Sequence, residues 1–381
     1  MRIFVTGASG WIGSAVVPEL IGAGHHVLGL ARSDASASAV ADLGAEVLRG
    51  DLNDTDSLQT GTLESDGVIH LAFVVPSVSE AATRTDARAI ETFLAGLAGT
   101  GKPLVISGAT LVTPGRPATE RDPLIAAGPI AARITNMQVA LAAADRGVRS
   151  CLVMLPRSVH GRGDRHGFVP QLIARARKEG VSGYIGDGTS RWPAVHLKDA
   201  ASLYRLAIEQ APAGAVLNAV GDEGVSVREI AEAIGRHLNL PARSLPAEEF
   251  GGMLVHLLST DMPASSTITQ ELLGWKPTTP AFSRTSRRAT ASTDPCPRIP
   301  PSRRAPWPAE ILEDGDIANV RRRRRTVRPA MPGEPAGRGI LPFRTWPRRS
   351  SPSRLESSSM HRSVLARHGL RETLVSCQET P

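Results

Sequence analysis

Cysteine is scarce in this 381-residue chain, three in all, and tyrosine is scarcer still, at two. Cys151 lies in an apolar run, while Cys296 and Cys377 stand alone. That excludes a disulfide framework and a thiolate metal motif, and it makes a reducing cytoplasm the expected compartment. No run approaches the roughly 20 apolar residues of a membrane-spanning helix. The opening apolar stretch, residues 3–5, is too short for a secretory leader. A soluble protein with no membrane partner is expected. Lysine is missing from residues 281–381, which carry 20 Arg and 9 acidic residues, a net of +11. Residues 1–280 carry 24 basic and 28 acidic residues, a net of −4. The formal charge of +7 therefore belongs to the tail, and the body offers no electrostatic reason to propose nucleic acid.

Short β-rich runs alternate with helical patterns over the first 156 residues: RIFVT, HVLGLA, AEVLRG, GVIHLAF, PLVIS and RSCLVMLP. Helices are predicted between them near 11–22, 54–60, 80–99 and 130–146. Strands separated by helices at this spacing imply an α/β fold with a doubly wound parallel sheet. The near-continuous apolar CLVML fits a central strand buried on both faces. After residue 156 the rhythm loosens. The predicted organisation is a Rossmann-type domain over 1–155, then a small substrate lobe over 156–280 with one strand, AVLNAV, returning to the sheet. Within that lobe Ser226 and Glu229 form a capping-box pattern ahead of a helix.

Residues 7–13 read G-A-S-G-W-I-G, directly after the first strand and before the first helix. Gly7 permits a tight turn, Gly10 allows a pyrophosphate to approach the backbone, and Gly13 allows close helix–strand packing. The helix's positive end then faces the phosphates. In this strand–helix–strand context the pattern reads as a dinucleotide site. The end of the second strand bears on which dinucleotide. An acid there would bond a ribose 2′-hydroxyl, but the chain has Ala31, followed by Arg32 and Ser33. A guanidinium and a hydroxyl suit a 2′-phosphate, so NADP is expected over NAD, with Asp34 taken to lie past the strand.

TGASGWIG, LARS, GDLND and HLAF, in that order, resemble the short-chain dehydrogenase/reductase superfamily, and more closely its extended or atypical NAD-dependent epimerase/dehydratase branch. The resemblance covers about residues 1–280 and includes LPRSVHGRGD and WPAVHLKDAA. It implies an NAD(P)-dependent oxidoreductase acting on a small carbonyl, alcohol or sugar-like substrate. By position it implies that Ser9, Trp11 and Ile12 join the glycines at the cofactor. Asp51 and Leu52 would flank the adenine, Leu71, Ala72 and Phe73 would run along the cofactor, and Pro156, Ser158 and Val159 would lie near the nicotinamide. Family enzymes use a tyrosine four residues before a lysine, with a serine or threonine nearby. Here the lysine position falls near Arg133, which puts Pro129 or Ile130 where the tyrosine belongs. Tyr184 and Tyr204 lie well past that helix. Ser107, Thr110 and Arg133 are thus the candidate catalytic residues, with arginine able to hold a ribose but unable to donate a proton at neutral pH. His160 or His166 could replace the acid, and His196 reads as a packed core histidine. His160, Asp164 and His166 share a loop without helical ligand spacing, so no metal is expected. The missing tyrosine leaves a second class open, a non-catalytic NADP-binding redox sensor.

From about residue 281 the chain is rich in Arg, Pro and Ser, includes RRRRR at 321–325, and has no sustained periodicity. Such a segment cannot bury enough apolar surface to order itself, so a disordered tail is expected. Twenty arginines without one lysine fit a GC-rich gene read out of frame better than a nucleic-acid arm. The oligomeric state is open between monomer and homodimer.

Overall fold

The computed structural model describes residues 1–73, 79–127, 130–165 and 167–279. The expectations for the tail, Pro129 and His166 lie outside them. The first half runs β1 (Arg2–Thr6), α1 (Gly13–Gly22), β2 (His26–Ala31), α2 (Asp34–Asp42), β3 (Glu46–Arg49), α3 (Thr55–Leu63), β4 (Gly67–His70), α4 (Glu80–Leu97), β5 (Pro103–Ala109), α5 (Ala131–Ala142) and β6 (Arg149–Leu155). The second half runs β7 (Ser158–His160), α6 (Phe168–Glu179), β8 (Ser182–Ile185), β9 (Arg191–His196), α7 (Leu197–Gln210), β10 (Ala215–Asn218), β11 (Asp222–Ser226), α8 (Val227–Leu238), β12 (Ala242–Leu245), α9 (Gly252–Ser259) and α10 (Thr267–Leu273).

Seven strands pair in parallel in the order β3-β2-β1-β4-β5-β6-β10. This is the doubly wound, Rossmann-type sheet that the strand–helix alternation implies. Period-two alternation sends each strand's side chains to opposite faces. Ile3 and Val5 pack in the core formed with Val16, Val17 and Leu20 of α1 and Leu203 and Ile208 of α7. Phe4 between them enters a second core with Phe93 and Leu97 of α4 and Met137 of α5. Both faces of β1 are fully buried, which is why it reads as an unbroken apolar run. The strand order reverses between β1 and β4, and open α/β sheets bind ligands at the carboxyl ends beside such a switch point.

Beyond β6 a smaller set of elements packs around a third core of Trp192, Tyr184, Phe250 and Leu257. β7 and β9 are parallel, β11 runs antiparallel to β9, and β12 pairs with β8. The Ser226–Glu229 capping box opens α8 as its sequence pattern implies. β10 leaves this region and adds to the large sheet beside β6. The chain then folds back on α7. Trp275 Nε1 donates to the Asp199 carbonyl at 3.0 Å, and the Thr278 and Thr279 amides donate to its carboxylate at 3.0 and 3.3 Å.

Candidate cofactor and active site

The turn after β1 is built around its three glycines, each with a distinct constraint. Gly7 has φ +71°, and a Cβ there would lie 2.8 Å from the Ala72 amide nitrogen. At Gly13 a Cβ would lie 2.3 Å from the Gly7 carbonyl oxygen and 2.5 Å from that of Ala8. A Cβ at Gly10 would meet only the Gly7 carbonyl oxygen, at 3.1 Å. Gly7 and Gly13 are therefore demanded by the chain itself, whereas Gly10 is not. Ser9 and Gly10 are exposed, and no side chain caps the N terminus of α1. An uncapped helix start beneath a bare glycine suits a pyrophosphate. Trp11 crosses the turn and donates from Nε1 to the Val159 carbonyl at 2.9 Å. That bond joins the glycine turn to the Pro156–Val159 segment, where Pro156 and Ser158 are buried.

At the end of β2, Ala31 is buried and Arg32 and Ser33 are exposed. Ser33 caps α2: its side chain accepts from the Ser36 amide at 3.2 Å in a reciprocal capping box. Asp34 turns to Arg49 at 2.7 Å. Asp51 accepts from the amide and side chain of Asn53, both at 2.8 Å, which shapes the loop that carries Leu52.

Leu71, Ala72 and Phe73 form a strap past the end of β4. The Leu71 amide donates to the Thr6 carbonyl at 3.2 Å, and the Ala72 amide to Thr6 Oγ1 at 3.3 Å. The Arg133 guanidinium stacks 3.6 Å from the centroid of the Phe73 ring and donates to the Ser107 carbonyl at 3.0 Å. Burial lowers the Arg133 pKa, opposed by the nearby Asp86 charge. The structure thus brings Phe73, Ser107 and Arg133 together.

The Ser107 hydroxyl, however, is turned inward. It donates to the His70 carbonyl at 3.1 Å and lies 2.7 Å from the hydroxyl of Tyr204. With its one proton on His70, its oxygen accepts from the tyrosine. Tyr204 is fully buried on α7, and burial raises its pKa. Thr110 differs: its Oγ1 is buried at the carboxyl end of β5 with no hydrogen-bond partner among the described residues. A histidine acid is also disfavoured at neutral pH. Burial, with the neighbouring His196 adding to it, pushes His160 down to about 4, against the opposing effect of Asp199. The two rings meet edge-on at 5.4 Å. His196 is the N-cap of α7, its Nδ1 accepting from the Lys198 amide at 3.2 Å, so it is a capping residue rather than a packed core one. Asp164 accepts from the Gly167 amide at 2.9 Å. Tyr184 is a core residue of the smaller lobe, and Ile130, one of the two positions for the missing tyrosine, is 39 % exposed.

Sequence reasoning passed over Thr6, His70, Asp86 and Asn136, and set Tyr204 aside. One signal was available. Asp86 falls on the apolar stripe of α4 with Ala82, Ala89, Ile90 and Phe93, where a carboxylate needs partners. His70 Nε2 lies 3.2 Å from Asp86 Oδ1, and Asn136 donates to Oδ2 at 2.8 Å.

The fold is Rossmann-like α/β, with a glycine turn at the switch point of the sheet. The profile of the NAD dependent epimerase/dehydratase family matches residues 3–219, and the chain belongs to that family. It is therefore an NAD(P)-dependent oxidoreductase of the epimerase/dehydratase type. It is 45 % identical over 284 residues to an uncharacterised protein of Schizosaccharomyces pombe and 44 % identical over 284 residues to one of Saccharomyces cerevisiae, each match covering 73 % of this chain and 95 % of the relative. Among solved structures, the UDP-glucose 4-epimerase of Thermus thermophilus, a complex with NAD, superposes with a TM-score of 0.59 at 20 % identity, covering 75 % of this chain and 97 % of that one. At that identity the likeness concerns the fold. No described helix is long and apolar enough to cross a membrane.

Proposed function

We propose that the chain is an NADP-dependent oxidoreductase acting on a small carbonyl, alcohol or sugar-like substrate. The end of β2 carries the cofactor preference. Ala31 leaves no acid for a ribose 2′-hydroxyl, Arg32 is exposed beside it, and the Asp34 carboxylate is paired with Arg49 at 2.7 Å. A 2′-phosphate there would meet a guanidinium and the N terminus of α2, with Asp34 paired to Arg49.

Leu71–Phe73 and Pro156–Val159 would hold a nicotinamide, which would supply or accept the hydride. The chain's own residues then have to move a proton at the substrate oxygen. Thr110 is the favoured group: its hydroxyl is buried and has no partner among the described residues, while that of Ser107 is committed to His70 and Tyr204. Arg133 holds a positive charge over Phe73 and can keep a ribose or substrate oxygen in place. A hydroxyl is a weak acid at neutral pH, and positioned acid–base help is typically worth about 10²- to 10⁴-fold. Turnover is therefore slow and broad in substrate range. The test is NADPH oxidation against a panel of ketones and keto-sugars, with Thr110→Val alongside. Slow turnover that falls at least tenfold in Thr110→Val supports the reading. Tight NADPH binding with no hydride transfer across the panel favours the second reading, a redox sensor, for which the missing tyrosine before Arg133 is the motivating observation.

A further inference from the structure

We infer that Thr6, His70, Asp86 and Asn136 are positioning residues for the cofactor, a buried chain that ties α5 to the backbone clamp between Gly7 and Ala72. The inference rests on the dinucleotide reading of the glycine turn. All four residues are at most 8 % exposed, and the His70 ring stands edge-on to Phe93 at 5.2 Å. Four polar side chains in such surroundings carry a desolvation cost that apolar residues of similar shape would avoid. Core stability alone does not account for them.

One proton pattern satisfies these contacts. Burial disfavours the Asp86 charge, but hydrogen bonds from His70 and Asn136, helped by Arg133, outweigh it and hold the pKa below the usual carboxylate range. An ionised Asp86 accepts at both oxygens. His70 therefore presents Nε2–H to it across 3.2 Å, and its Nδ1 can accept from the Thr6 hydroxyl at 2.7 Å. Thr6 Oγ1, its proton given to the imidazole, accepts in turn from the Ala72 amide at 3.3 Å. Asn136 closes the far end, its Nδ2 shared between Asp86 and the Thr83 carbonyl.

The Ala72 amide is the group that a Cβ on Gly7 would strike at 2.8 Å. The chain thus ends on the backbone that walls the glycine turn. Its other end lies on the helix that carries Arg133, one turn before Asn136 and stacked on Phe73. Helix α5 therefore grips the 71–73 strap twice, through Arg133 on the ring and through the buried chain on the amide. Cofactor affinity accordingly depends on side chains that never touch the cofactor.

The experiment is a fluorescence titration of the full chain with NADPH and with NADH, paired with thermal melts. Thr6→Val keeps the shape and removes the hydroxyl, Thr6→Ser restores it, and Asn136→Ala cuts the far end. Thr6→Val and Asn136→Ala are each expected to weaken binding of the preferred cofactor about five- to tenfold, the scale of one lost hydrogen bond. Thr6→Ser should stay within twofold of wild type. The double variant should bind no more than about twofold worse than the weaker single, because both changes break one chain. If Asn136→Ala does not fold, the two Thr6 variants decide. Wild-type affinity in a folded Thr6→Val, or no rescue by serine, overturns the inference while leaving the dinucleotide site standing. A wild-type chain that binds neither cofactor overturns both.

Discussion

Gly10→Ala and Gly13→Ala are chemically identical changes three residues apart, and the structure predicts opposite consequences for them. At Gly10 the new methyl meets only one backbone oxygen, at 3.1 Å, and φ lies outside the left-handed region. A few tenths of an ångström of adjustment suffice, so the cost to folding should stay below about 1 kcal/mol. The methyl would nonetheless stand where the pyrophosphate approaches the uncapped start of α1. Affinity should fall at least about tenfold, which is roughly 1.4 kcal/mol. At Gly13 the methyl lies 2.3 and 2.5 Å from two carbonyl oxygens of the turn, and backbone cannot rotate away as a side chain can. Strand and helix must separate locally, with an expected cost of about 3 kcal/mol or more, the scale of severe overpacking. For a body of this size each kcal/mol moves Tm by roughly 2–4 °C. Gly13→Ala should therefore melt about 6–12 °C below wild type, and Gly10→Ala within about 4 °C of it. Calorimetry and NADPH titration on both variants provide the readout. Wild-type affinity in Gly10→Ala, or a wild-type melt in Gly13→Ala, would refute the division between a ligand-facing and a packing glycine.

Two further outcomes follow from buried groups. Tyr204→Phe removes the hydroxyl 2.7 Å from Ser107, which still donates to His70, so stability should drop by about 0.5–1.5 kcal/mol while any turnover is retained. Loss of turnover with binding intact would mean the phenol serves the chemistry, contrary to its burial on α7. His160 sits at about 4 in the folded chain against about 6.5 unfolded, so the unfolded state binds the extra proton first. Stability is then complete above about pH 6.5 and declines as pH falls toward 4, by about 3 kcal/mol over the window. Denaturant melts at pH 7 and pH 4.5 should reveal the decline, and a His160→Gln variant should flatten it. An unchanged slope in that variant would locate the effect elsewhere.

The sheet was legible because its central strands are buried on both faces and most of its helices are periodic. RIFVT, CLVML and AVLNAV announce themselves through apolar continuity alone. Helix α2 was not foreseen, since DASASAVAD buries only Val40 and offers almost no periodic signal. The short strands β7, β8, β11 and β12 escaped because each is three to five residues long and is defined by a distant partner. The same physics divides the site. A glycine turn is written locally, so Gly7, Gly10 and Gly13 could be assigned their separate tasks from spacing. The Ser107–Tyr204 bond joins residues 97 apart, and no local pattern couples a helix tyrosine to a strand serine. Asp86 alone gave a hint, as an acid on an apolar stripe, but His70 and Asn136 as its partners emerge only when α4, β4 and α5 are packed together.

The central claim, an NADP site set by the end of β2, is tested most directly by titrating wild type and Arg32→Ala with NADPH and NADH at one ionic strength. The wild type should prefer NADPH. Arg32→Ala should lose about 1.5–3 kcal/mol of NADPH affinity, tenfold or more, and change NADH affinity by less than twofold. Equal small losses for both cofactors, or a wild-type preference for NADH, would contradict the account.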